Sequence, residues 1–283
     1  GSAKGAGSLI LVVLVGVAAF MLIEAFPAFT ASGPEVPGGI VVYVAPLVFG
    51  TLLAALIAHG TNLGVAAMAG SIEGMTPDRL HHASQWFLRE ATLKTASKAV
   101  VDHHHALPFS ATWGDGSMSS SDGQRFAVRR DGLLGAVYPR YFGYYDRAIT
   151  LYTHLSDRYA PFHTKVIAAT ASEAVHVLDG LLYHGSEVAA SRHHTDGGGD
   201  SEHVFALCAL LGFAFAPRIP DLKHRRLYAF GKAADHPALE PLIAGRINVA
   251  LIRAHWPDIL RVAASIRTGT VTASLIMRQL ASY

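Results

Sequence analysis

The sequence predicts a mixed α/β protein, and three observations predict it. Runs rich in β-branched and aromatic residues, at 148–154 and 162–169, alternate with stretches of helical period such as 76–101 and 172–184. Two stretches, 113–126 with Asp115 and Asp122 and 195–199 with Asp196, put an aspartate among small residues directly beside strand-like runs, where an acid can hold a ligand at a strand end. At 283 residues and 51% hydrophobic composition, the chain can bury a sizeable core and has room for two domains.

Charge and cysteine content narrow the class. A net charge of +2 is too mild to require a polyanionic partner by itself. Locally the balance is steeper: Arg218, Lys223, Arg225, Arg226 and Lys232 face one acid, Asp221, a distribution that suits a phosphate backbone and equally a solvated loop. A single cysteine, Cys208, excludes an internal disulfide framework, and its place in the apolar run 204–211 predicts a buried thiol. The histidines, including the 81–82, 103–105 and 193–194 runs, lack the paired spacing of a structural zinc site. Trp86, Trp113 and Trp256 are expected in the core.

In chain order, residues 1–50 stand apart. An uncharged aliphatic run at 9–23 follows Lys4 and could be read as a signal sequence, and a second uncharged stretch covers 38–58. Pro46 and several glycines interrupt the second, and no basic clusters flank either, so buried structure is preferred to a membrane anchor. Thr76-Pro77-Asp78 opens a helix whose apolar stripe runs to Val101, ending near 105–108. Strands are expected at 109–113, feeding Asp115 and Asp122, then at 125–128, 133–145, 148–154, 162–169, 188–194 and 213–216. Helices are expected at 172–184, stopped by Gly185, at 201–211 behind an Asp200-Ser201 cap, and at 242–256, 258–267 and 271–280.

The acids carry the chemistry. Hard divalent cations take oxygen ligands and retain waters, so one or two carboxylates from separate strands, with glycines nearby, suit metal-assisted phosphoryl chemistry. Residues 113–126 (Trp-Gly-Asp-Gly-Ser-Met-Ser-Ser-Ser-Asp-Gly-Gln-Arg-Phe), 151–167, 176–184 (His-Val-Leu-Asp-Gly-Leu-Leu-Tyr-His) and 195–228 together resemble, in order and spacing, the catalytic region of the Tn-three family of replicative bacterial transposases. The likeness covers roughly 51–283, including Thr61-Asn62-Leu63-Gly64 and the closing 272–280.

That resemblance implies a ribonuclease-H-like fold with one catalytic aspartate on the first strand and another at the end of the adjacent fourth. It implies two Mg²⁺ ions (Mn²⁺ substituting) held by an Asp, Asp, Glu set. The implied activity is hydrolysis of one strand at each transposon end, followed by attack of the freed 3′-hydroxyl on target DNA. By motif the first acid is Asp122 and the second Asp196. Asp115 competes for the first role, although its Gly-Asp-Gly can equally be a turn. Arg125, His154, His163, Lys165, Arg218, Lys223, Arg225 and Arg226 are the implied contacts to double-stranded DNA. A transposase homo-oligomer and a bacterial, cytoplasmic, nucleoid-associated setting follow, with no small-molecule substrate and no membrane.

Two departures stand out. Gly197 replaces the threonine that usually follows the second acid, which is expected to loosen that turn. The family's glutamate lies in a Gly-Glu-Ser-Arg-His-like motif beyond the segment matching 272–280, and neither Glu202 nor Glu240 lies in such a motif. The chain is therefore expected to lack a third metal-binding carboxylate and to be inactive alone. The expected organisation is an unmatched apolar segment at 1–50, a helical segment at 51–108, a partial catalytic core at 109–235 and a helical end at 236–283. A non-catalytic remnant that binds only DNA or a full-length transposase is the alternative; a membrane-anchored protein is a further one.

Overall fold

The computed structural model describes residues 39–128 and 132–280, which fall into two units parting at Leu107. In the first unit, helix α1 (Gly39–Gly60) runs unbroken through Pro46. The apolar run at 9–23, with the signal-sequence reading attached to it, lies outside the described residues. Among the described residues no helix is long and apolar enough to cross a membrane. Leu52, Ala54, Ala55 and Ala58 of α1 form a core with Met68 and Ala69 of α2 (Val65–Gly70) and Leu80 and Ala83 of α3 (Pro77–Phe87). Alanines at this contact let the helix backbones approach closely. Thr76 caps α3, its hydroxyl accepting from the Arg79 amide at 3.3 Å, and Pro77 occupies the first turn. The stripe expected to run on to Val101 is two helices, because the chain turns extended at Arg89 before α4 (Glu90–Ala106).

The second unit is built on one mixed sheet. Its axis is β1 (Met118–Val128), which pairs antiparallel with β3 (Arg147–Ser156) along ten residue pairs from Ser119↔Ser156 to Val128↔Arg147. On the other edge of β3 lie β4 (Pro161–Ala168) and the two-residue β2 (Ala136–Val137), both antiparallel. Beyond β1 the sheet continues in parallel through β5 (Arg192–Thr195) to β6 (Ala214–Phe215). Three antiparallel strands extended by parallel ones, with helices against them, form the ribonuclease-H-like α/β fold that the resemblance implied.

Helix α6 (Val177–Leu182) lies on the sheet through Gly180: a methyl group there would overlap the His154 ring, so glycine sets how closely the helix approaches β3. Helix α7 (Glu202–Leu211) buries Cys208 as expected, and burial pushes its thiol up to about 12. The last helix, α10 (Ala273–Leu280), is tied back by the Asp179 carboxylate, which accepts from the Ser274 amide at 3.0 Å. Burial alone would raise Asp179, but the nearby His176 ring and the hydrogen bonds from Lys165 and Ser274 outweigh it and lower its pKa well below the usual carboxylate range.

Several expectations are corrected. Residues 108–112 form a 3₁₀ turn in place of a strand, since Pro108 opens a local i→i+3 turn. Of 133–145 only Ala136–Val137 pairs: Pro139 starts a single helical turn (α5, Pro139–Phe142), and Gly143, at φ 73°, ends it. Only the end of 188–194 is strand. The expected helix at 242–256 gives way to strand β8 (Ile243–Arg246), paired with β7 (Leu227–Ala229), before α8 (Val249–Ala254); α9 (Trp256–Arg267) follows. Trp86, Trp113 and Trp256 are not core residues but are 57%, 58% and 44% exposed.

Candidate metal centre

The register of β1 against β5 sets the acids side by side. The last parallel pair is Ser121↔Thr195, and the next residue on each strand is an aspartate, Asp122 and Asp196. Asp196 caps the Gly197–Gly199 turn, its Oδ1 accepting from the Gly198 amide at 2.9 Å, while the Gly199 amide donates to the Asp196 carbonyl at 3.2 Å. With glycine at position 197 this turn is still hydrogen-bonded. Asp122 accepts from the Gly123 amide at 2.7 Å. Both acids are exposed and open into a concave groove over the sheet, lined also by Ser120, Gln124, Thr153 and His194.

A third carboxylate, which the sequence reading missed, completes the group. One ligand oxygen from each of Asp122, Glu173 and Asp196 lies within 4.8 Å of the others. This corrects the expectation that only two acids converge; Glu202 and Glu240 are not part of the group. Glu173 lies just before the 3₁₀ turn Ala174–His176 and is 9% exposed. Its carboxylate pKa is raised, chiefly by burial and further by Asp122 and Asp196, against the opposing pull of Arg125. Three hard oxygen donors converging from separate elements fit a divalent cation of the Mg²⁺ or Mn²⁺ type.

Beneath the acids lies a buried polar layer. His193 bridges two β1 hydroxyls, its Nδ1 2.8 Å from Ser119 Oγ and its Nε2 2.8 Å from Ser121 Oγ, and Ser121 Oγ lies 2.6 Å from the Tyr152 hydroxyl. His154 stacks on His193 with ring centres 5.3 Å apart, and its Nε2 donates to the Val177 carbonyl at 2.9 Å. Burial holds both imidazoles neutral, His193 at about 3 and His154 well below the usual histidine value.

The other sequence-designated residues are distributed as follows. Asp115 is outside the group: its carboxylate accepts from the Ser117 amide at 2.8 Å, a turn that Asp157 and Arg158 brace through Gly116 and Gly114. Arg125 pairs with Glu173 at 3.0 Å and lies over the Tyr138 ring. His154 is wholly enclosed and presents nothing to a phosphate, and His163 is half-buried against it. Lys165 pairs with Asp179 at 2.8 Å, and Arg225 with Asp200 at 2.7 Å, while Arg218, Lys223 and Arg226 are exposed.

Two acids at the ends of adjacent parallel strands of a ribonuclease-H-like sheet give the chain its class, and comparison with known proteins narrows it. Residues 45–283 match the Tn3 transposase DDE domain, and the chain belongs to that family. It is 47% identical over 233 residues to the transposase for transposon Tn501 of Pseudomonas aeruginosa, and 46% identical over 233 residues to that for Tn21 of Escherichia coli. A more distant relative is the gamma-delta transposase of Escherichia coli, 32% identical over 231 residues. In each case the match takes in 81–82% of this chain and 23% of the relative, so the chain spans about a quarter of the length of the transposases it matches.

Proposed function

We propose that this chain carries the strand-cleaving and strand-joining centre of a DNA transposase, with Asp122 and Asp196 as ligands of Mg²⁺. The observation that carries the reading is the convergence of these two carboxylates one residue beyond the last β1–β5 pair. A divalent cation held there supplies Lewis-acid activation of the attacking oxygen and charge stabilisation of the leaving one. The protein's own contribution is position. The paired strands fix the two carboxylates, the groove leaves them open to a phosphodiester, and the hydroxyl and imidazole layer below keeps water out of the sheet. The exposed Arg218, Lys223 and Arg226 provide sequence-independent attraction for the duplex. Double-stranded DNA at transposon ends and in the target is then the substrate. Because two ends must be joined, a second copy of the transposase is the natural partner, working in the bacterial cytoplasm at the nucleoid.

The test is Mn²⁺ titration of the chain, read by the loss of the free-ion electron paramagnetic resonance signal, alongside nicking of a transposon-end duplex. Asp122→Asn and Asp196→Asn should each abolish ordered Mn²⁺ binding while leaving the fold intact by circular dichroism. Unchanged Mn²⁺ binding in both would remove the assignment.

A further inference from the structure

We propose that Glu173 is a third ligand of the Asp122–Asp196 centre, seated there by the space at Gly123, and that Arg125 is the counter-cation that occupies it until a metal ion arrives. This rests on the reading that the two aspartates hold a divalent cation.

The seat is specific. Strand β1 runs on past its last pair with β5, so from residue 122 onward that edge of β1 meets no further β5 residue. Glu173 lies over Gly123, on the face of β1 that also carries Ser119 and Ser121: a methyl group at Gly123 would overlap both of its carboxylate oxygens. Glycine at 123 therefore leaves a slot next to Asp122, and the carboxylate in it comes within 4.8 Å of ligand oxygens on both aspartates.

Three carboxylates this close repel one another, and a cation must offset them. Arg125 is that cation. Its Nη2 donates to Glu173 Oε1 at 3.0 Å, its Nε to the Ala169 carbonyl at 3.4 Å, and its guanidinium lies 4.7 Å from the centre of the Tyr138 ring. Arg125 is thus held from three sides with its charge on one oxygen of Glu173. A metal ion entering the group competes with it for that carboxylate.

Mn²⁺ titration of the whole chain tests this with three variants beside the two aspartate variants. Glu173→Gln should weaken Mn²⁺ binding by about tenfold or more, since changing even the outer-shell partner of a metal ligand costs about 10–100-fold in affinity. Gly123→Ala should do the same with Glu173 intact, because the added methyl group displaces the carboxylate. Arg125→Gln should tighten Mn²⁺ binding, and that gain should vanish in the Arg125→Gln, Glu173→Gln double variant. An ion pair serving only stability would lower the melting temperature in these variants and leave Mn²⁺ affinity unmoved, which would overturn the proposal. If Asp122→Asn abolishes binding while Glu173→Gln leaves it unchanged, the two-aspartate reading stands and this one falls. If a single variant does not fold, Glu173→Asp serves in its place: a shortened carboxylate should give an affinity between those of wild type and Glu173→Gln, and equal affinity for all three would overturn the proposal.

Discussion

The two faces of β1 make opposite use of polar residues. On the buried face, Ser119 and Ser121 are tied to His193, and Ser121 also to Tyr152, so these polar groups find their partners inside the protein. On the open face, Ser120, Asp122 and Gln124 line the groove. The layer of Ser119, Ser121, Tyr152 and His193 is neutral, whereas Asp122 on the open face carries charge. The difference shows how one strand can hold an acidic centre rigidly: hydrogen bonds below lock its register against β5, and the carboxylates above remain available to a cation. Breaking the serine–histidine layer should cost stability, whereas removing the Asp122 carboxylate should cost ligand binding alone.

Acid should separate the faces most strongly. In the fold His193 is held at about 3, chiefly by burial, while an unfolded histidine takes its proton near pH 6.5. Below pH 6.5 the unfolded chain therefore binds the extra proton, so the stability His193 contributes is complete above 6.5 and is lost as pH falls toward 3. That loss amounts to about 1.4 kcal/mol per pH unit, on the order of 4 kcal/mol by pH 3.5. His154, lowered in the same direction, should add to it. Urea unfolding midpoints measured from pH 7.5 to 4 should fall steeply below 6.5, and a flat profile would mean that these imidazoles are not held neutral.

Substitution should give a slightly smaller contrast. His193→Ala removes a fully buried ring and leaves the Ser119 and Ser121 hydroxyls without their imidazole partner, a loss of about 3 kcal/mol by denaturant unfolding. Asp122→Asn, on the exposed face, should leave the unfolding midpoint unchanged or slightly raised, since it relieves repulsion within the acidic group. If both variants lose stability equally, the division of labour between the faces is wrong.

The sequence makes one face more legible than the other. Asp122 and Asp196 sit in local patterns of small residues beside strands, and strands β3 and β4 announce themselves through alternating β-branched and aromatic residues, so both can be read without coordinates. Glu173 cannot: it stands in Ala-Ser-Glu-Ala-Val, an unremarkable approach to a helix, and its role comes from a slot at Gly123, 173 − 123 = 50 residues away. The region 242–256 misleads for a similar reason. Its apolar spacing suits a helix, but pairing of Ile243 with Leu227 and of Gly245 with Tyr228 makes its first part a strand, a tertiary contact overriding local preference. The tryptophans mislead because large apolar side chains are read as core by default, and these three lie on the surface.

The same contrast between committed and open polar groups recurs, at smaller scale, in the basic segment. Arg225 and Arg226 are neighbours of equal charge, yet the Arg225 guanidinium is held on Asp200, whose side chain is only 5% exposed, while Arg226 is exposed and donates to the Arg225 carbonyl at 3.4 Å. Removing Arg225 leaves a nearly buried carboxylate without its partner, so Arg225→Gln should lower stability by about 1.5 kcal/mol, in the range of a charge-assisted hydrogen bond. Arg226→Gln should leave stability unchanged. If this segment meets DNA phosphates, the order reverses for binding: Arg226→Gln should flatten the dependence of log affinity on log salt by about one unit, and Arg225→Gln by much less, because its charge is already neutralised by Asp200. Measuring duplex affinity for both variants from 50 to 200 mM salt decides between the two roles. Equal flattening would show that Arg225 leaves Asp200 when DNA binds, and no flattening in either would show that the segment is a solvated loop.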